Sequence, residues 1–162
     1  MQQQISLASA ATIWQRLQKS VVGINADTLL TLDQEKLRGV GLSRAKAICA
    51  LNLAEEVVKG RLIFRELRHM EDEEVIASLT QIKGIGRWTA EVYLIGALQR
   101  PDIWPVADVA LMEGIRDILS LDYRPSKKEM LLLARPWRPY RTFAARLTWL
   151  HYRRKTNRNA EA

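Results

Sequence analysis

Residues 79–90 read Leu-Thr-Gln-Ile-Lys-Gly-Ile-Gly-Arg-Trp-Thr-Ala, a run whose types and spacing suit the binding of an anion. Gly84 and Gly86 flank one apolar residue, permitting positive φ and letting the backbone come close to a ligand. Ile85 can tuck inward and pin the turn. The N–H groups that open the next helix then point outward, where they can meet an anion. Lys83 and Arg87 add positive charge at the same place, a combination suited to a DNA phosphate. The same residues would also serve a plain helix–helix connection whose glycines allow close packing. Further on, Asp108 directly precedes the apolar run Val109-Ala110-Leu111, the position of a helix N-cap. The chain has two histidines, His69 and His151, and one cysteine, Cys49. One cysteine excludes an internal disulfide framework and any zinc or iron–sulfur site built on several cysteines. Lying on an apolar helix face, Cys49 reads as a buried small hydrophobe.

The charge is unevenly placed. Lys and Arg number 25 against 18 Asp and Glu, for a net charge of +7. Eleven of the basic residues and a single acid, Glu129, lie between Arg124 and Arg158, so that segment carries +10 and the remainder −3. A basic face at one end of a domain is the footprint of a polyanion partner, most often nucleic acid. A solvated helix face followed by a basic tail would leave the same pattern.

The elements that must position these residues read as helices almost throughout. Ser6 can cap a helix through Leu17, and Asp33 opens a short one ending at Gly39. Ser43 caps a longer amphipathic helix to about Lys59. A segment from about Glu71 to Leu79 begins with acids and ends apolar, as the helix dipole favours. Further helices are expected over Arg87–Leu98, Val109–Leu119, Ser126–Ala134 and Pro139–Arg154. No long strand alternation or hairpin dipeptide appears. The 162 residues, 48% of them hydrophobic, suit one all-α domain. That domain is expected over residues 1–154, with a basic, fraying tail at 155–162. No apolar run approaches the roughly 20 residues a membrane span needs, and no secretory signal opens the chain. The expected location is cytoplasmic.

With Asp102-Ile103-Trp104-Pro105-Val106-Ala107-Asp108 about twenty residues beyond it, the 79–90 hairpin resembles that of the helix-hairpin-helix DNA glycosylase superfamily, and most closely its 3-methyladenine DNA glycosylase II branch. The resemblance continues through Trp137-Arg138-Pro139-Tyr140-Arg141 and Ala144-Ala145 to Trp149, and so covers most of residues 1–154. It implies a monofunctional enzyme that hydrolyses the N-glycosidic bond of alkylated bases in double-stranded DNA during base excision repair. The other reading is a non-catalytic or truncated hairpin module that only binds DNA.

The resemblance also assigns roles. Asp108 becomes the catalytic carboxylate beside the sugar of a flipped-out nucleotide, stabilising positive charge as the base leaves. Superfamily members with lyase activity carry a lysine two positions after the second hairpin glycine. Trp88 stands there in this chain, so Schiff-base chemistry is not expected. Trp88 and Trp149 become the aromatic walls of the base pocket, favourable to a cationic methylated purine. Core packing would explain Trp88 equally well, and it would explain Trp149 better, since Leu147, Leu150 and Phe143 could share a core face with it. Val92 replaces a further pocket aromatic of the family. Lys83, Gly84, Ile85, Gly86, Arg87 and Thr89 are expected at the DNA backbone, with Arg138 and Arg141 as further candidates, and Gln4 as a wedge into the gap left by the flipped base. The main-chain carbonyls of Thr80, Ile82 and Ile85 could hold a monovalent cation, Na+ or K+; no other cofactor is implied, and no iron–sulfur cluster. The resemblance further implies that the chain lacks an N-terminal part found in relatives. The residues leave the oligomeric state open, with a monomer as the expectation.

Overall fold

The computed structural model describes residues 7–161, with side chains over residues 9–156. Among them are nine α-helices and no strand: α1 (Leu7–Ser20), α2 (Ala26–Leu30), α3 (Gln34–Gly39), α4 (Arg44–Val58), α5 (Asp72–Thr80), α6 (Arg87–Gly96), α7 (Val109–Ile118), α8 (Lys127–Leu133) and α9 (Arg141–Glu161). Short 3-10 turns occupy Glu66–His69 and Arg135–Trp137. None of these helices is long and apolar enough to cross a membrane.

Local capping chemistry accounts for most helix starts. Asp33, Ser43 and Asp108 each accept a hydrogen bond from the backbone N–H three residues on. Ser126 does the same, and Glu129 returns a bond to the Ser126 N–H at 2.8 Å, closing a capping box before α8. Ser6, the expected cap of α1, lies outside the described residues. The α2 helix was not anticipated, although Asn25 and Thr28 form a second capping box there. At the other end, α9 continues to Glu161 instead of ending near Arg154. Its last turns have no apolar stripe, but Arg, Lys, Ala and Glu are good helix formers.

The chain divides into two compact units. One comprises the described residues up to Met70 together with Ala77–Ile85; the other comprises Glu71–Ile76 together with the chain from Gly86 on. The division falls inside the 79–90 hairpin, within the span read from sequence as one domain. In the first unit, α4 packs against α2 and α3 over a core of Leu17, Leu32, Leu37 and Ala47. In the second, α7 packs against α9 around Trp104, Leu111, Met112, Ile115, Met130, Ala134 and Ala145. The crossing of α7 and α9 is close: a Cβ on Gly114 would lie 2.5 Å from the Thr148 side chain and 3.0 Å from its carbonyl oxygen. Only glycine fits there, which brings the α9 face bearing Trp149 toward the start of α7.

Candidate active site

The turn that begins the hairpin belongs to the first unit and is fastened to α4. Gly84 has φ +105°, and a Cβ on it would meet the Cys49 Cβ at 2.8 Å. Both conformation and space therefore require glycine. Asn52 donates from Nδ2 to the Lys83 carbonyl at 2.8 Å, and the Ile85 N–H donates to the Ile82 carbonyl at 2.9 Å. Burial pushes the Cys49 thiol pKa up. Its place against the glycine makes it a packing residue. Ile82 is buried, Ile85 half-buried, and the Lys83 side chain exposed.

Gly86 is the N-cap of α6 and offers no side-chain cap to the first turn. The N–H groups of that turn stand where an anion could accept from them, and Thr89 is exposed on the same turn. Arg87 departs from the expected arrangement. Its guanidinium makes two bonds to Glu73, at 2.6 and 3.0 Å, and a third from Nε to Glu91 at 3.0 Å. Glu91 is buried on α6, and that burial raises its pKa despite the opposing Arg87 hydrogen bond. Hydrogen bonding to Arg87 lowers the pKa of Glu73. The arginine thus joins the first turns of α5 and α6.

Asp108 combines the capping position with a second set of contacts. It is buried, with 8% of its surface exposed. Oδ1 accepts from the Leu111 N–H at 2.7 Å and from the Trp149 indole Nε1–H at 3.0 Å; Oδ2 accepts from the Trp88 Nε1–H at 2.6 Å. The structure therefore brings Trp88, Asp108 and Trp149 together from the starts of α6 and α7 and from α9. Both tryptophans aim their N–H edges at the carboxylate. An indole N–H lies in the plane of its ring, so a hydrogen bond from that edge does not compete with stacking on the face. Trp88 is 47% exposed, and Trp149 is half-buried.

The segment leading into Asp108 is held by the start of α9. Arg141 forms a bidentate pair with Asp102, at 2.7 and 2.8 Å, and also donates to its carbonyl at 2.9 Å. The Thr142 hydroxyl donates to the Arg100 carbonyl at 2.7 Å and accepts from the Ile103 N–H at 3.0 Å. Trp104 donates to the Met130 carbonyl and packs on Trp137, with ring centroids 5.3 Å apart. Arg141, considered for the DNA backbone from sequence, is thus engaged in fixing the 100–108 segment. Thr142 was not anticipated; its neighbours Tyr140 and Arg141 in the aromatic-Arg motif were the available signal. Arg138 remains exposed. Gln4 lies outside the described residues.

Comparison with known proteins places this geometry in context. The family model described as HhH-GPD superfamily base excision DNA repair protein matches residues 1–139. DNA-3-methyladenine glycosylase 1 of Schizosaccharomyces pombe is 37% identical over 119 residues, covering 73% of this chain and 52% of the relative. Among solved structures, the S. pombe 3-methyladenine DNA glycosylase Mag1 in complex with abasic DNA is similar with a TM-score of 0.82 at 32% identity, covering 91% of this chain and 73% of that one. A DNA-3-methyladenine glycosidase from Bacillus halodurans is similar with a TM-score of 0.76 at 35% identity, covering 93% and 70%. The chain spans about half the length of the curated relatives it matches.

Proposed function

The chain belongs to the HhH-GPD superfamily of base excision DNA repair proteins, and from that premise we propose that it is a monofunctional DNA glycosylase releasing alkylated bases of the 3-methyladenine type. The observation that carries this reading is the buried Asp108 carboxylate, fixed by three N–H donors, two of them from aromatic residues that could wall a base site. The reaction breaks the bond between C1′ and the base nitrogen. The electron pair leaves with the base, and the positive charge that develops is shared by C1′ and the sugar ring oxygen. Asp108 faces that charge as a preorganised anion, stabilising it without having to reorient. Water then adds to C1′ and loses a proton, leaving an abasic site.

A base already carrying positive charge departs as a neutral molecule and needs no acid to assist it. The two indole faces favour such a cation. Trp88 supplies no amine for an imine with C1′, so the chemistry would stop at hydrolysis. The DNA would be double-stranded and held at the hairpin by Lys83 and by the uncapped N–H groups after Gly86. The main-chain carbonyls of Thr80, Ile82 and Ile85 would be the groups to hold a monovalent cation, with Ile82 able to accept a second contact beside the Ile85 N–H. The protein would act as a monomer.

The test is release of methylated bases, identified by mass, from alkylated duplex DNA. The native chain should release 3-methyladenine, and Asp108→Asn should lower the single-turnover rate by roughly a hundredfold or more while still binding duplex DNA. Full activity in Asp108→Asn would sink the mechanism. Duplex binding by the native chain with no base release would favour a hairpin module that only binds.

A further inference from the structure

Carboxylate oxygens offer about four lone-pair sites in all, two on each oxygen. At Asp108 both sites of Oδ1 are taken, by the Leu111 N–H at 2.7 Å and the Trp149 Nε1–H at 3.0 Å. One site of Oδ2 is taken by the Trp88 Nε1–H at 2.6 Å. A single lone pair, on Oδ2, is left over. Three donors from three separate helices also leave the side chain no freedom to rotate without breaking a bond. Capping α7 needs only the Leu111 N–H. Burying two indoles in a core does not require their N–H groups to meet on the same carboxylate. The convergence therefore asks for an explanation beyond packing.

We propose that the Trp88 and Trp149 indole N–H groups are positioning donors that aim Asp108, so that both tryptophans act on the chemical step through the carboxylate, apart from any stacking on their faces. The inference rests on the glycosylase reading and deepens it. Trp88 has a further consequence, because it is both half exposed and bonded to Oδ2, the oxygen with the open lone pair. A base lying on its face would be placed at a set distance from that oxygen, since edge and face belong to one rigid ring. Base position and carboxylate aim are then two outputs of a single side chain.

The experiment separates N–H from ring. Trp88 and Trp149 are replaced individually by β-(3-benzothienyl)alanine, which keeps the bicyclic shape and puts sulfur in place of the N–H; Trp88→Phe and Trp149→Phe serve as second variants. Two quantities are read on the full chain. One is the single-turnover rate of 3-methyladenine release. The other is the affinity ratio between duplexes carrying a cationic pyrrolidine and a neutral tetrahydrofuran in place of the abasic sugar. Each benzothienyl variant should lose about tenfold or more in rate, as removal of one hydrogen bond to a charged group implies. It should lose a similar factor in preference for the cationic analogue, with affinity for the neutral one unchanged. In an Asp108→Asn background the replacement should cost nothing further in cation preference, because the aim it controls is already lost.

Unchanged rate and preference in the benzothienyl variants would overturn the proposal and leave the tryptophans as stacking surfaces. Equal loss of affinity for both analogues would also overturn it, by showing a general structural role. A native chain that neither releases base nor prefers the cationic analogue would instead overturn the glycosylase reading on which the inference stands.

Discussion

Arg87 follows the second hairpin glycine directly, where a cation facing a phosphate suits the pattern, yet Glu73 and Glu91 hold its guanidinium. Lys83, exposed on the preceding turn, is the freer charge. The two should differ in how they affect DNA binding. Each phosphate neutralised on duplex DNA steepens the dependence of log affinity on log salt by about 0.9. Lys83→Gln should therefore flatten that slope by about one, and Arg87→Gln should leave it nearly unchanged; salt titrations of duplex binding check this. Arg87 would instead register in stability, through its neighbour. The raised pKa of Glu91 means that the folded protein holds this proton more tightly than the unfolded chain does. Its contribution is most favourable below the ordinary glutamate value of about 4.3 and is lost as pH rises through the raised value. Glu91→Gln should therefore gain stability relative to the native chain as pH rises above the ordinary glutamate value, measured as the difference in melting temperature. A difference that does not vary with pH would refute the assignment.

Helices and loops decide which of these residues could be foreseen. Asp108 as a cap, the glycine turn and the starts of α3, α4 and α8 are written in residues three or four apart, where capping and periodicity rules apply. Bonds from Asp108 to Trp88 and Trp149 span 20 and 41 residues, and no local rule connects such pairs. Asn52 on the Lys83 carbonyl, 31 residues away, was hidden for the same reason. The α2 helix was within reach of local rules, since Asn25 and Thr28 stand at capping-box spacing, but its five residues are too few for a periodic pattern. The clamp between Arg141 and Asp102 also joins distant segments, and it has a measurable pH signature. Arg141 hydrogen-bonds the Asp102 carboxylate and lowers its pKa. That stabilisation is fully present above the unfolded aspartate value of about 3.9 and fades as pH falls through the lower folded value. Arg141→Gln should thus destabilise at neutral pH, by about 1–3 kcal/mol for a largely buried charged hydrogen bond, with the deficit shrinking as pH falls below about 4. Acid melts test this, and slower base release at saturating DNA would show that the clamp also holds the segment bearing Asp108.

For the molecule as a whole, the formal +10 between Arg124 and Arg158 overstates the charge open to a partner. Arg124 pairs with Glu113, Arg141 with Asp102 and Lys155 with Asp117, while Arg146 donates to the Ile95 carbonyl near the end of α6. The sequence count sums formal charges, whereas a partner meets only those that internal pairs leave unmatched. Lys127 and Lys128 differ from the paired residues, being exposed and outside any ion pair among the described residues. They also occupy the first turn of α8, where the helix dipole disfavours cations by about 0.3–1 kcal/mol each. Their charge is thus left unmatched inside the protein, at a helix start that disfavours it. Stability and binding should then respond in opposite directions. Lys127→Glu with Lys128→Glu should raise the melting temperature modestly, because acids suit a helix start. The same pair should weaken duplex binding and flatten its salt dependence by up to about two. A stabilised double variant with unchanged duplex affinity would assign α8 to the solvated surface.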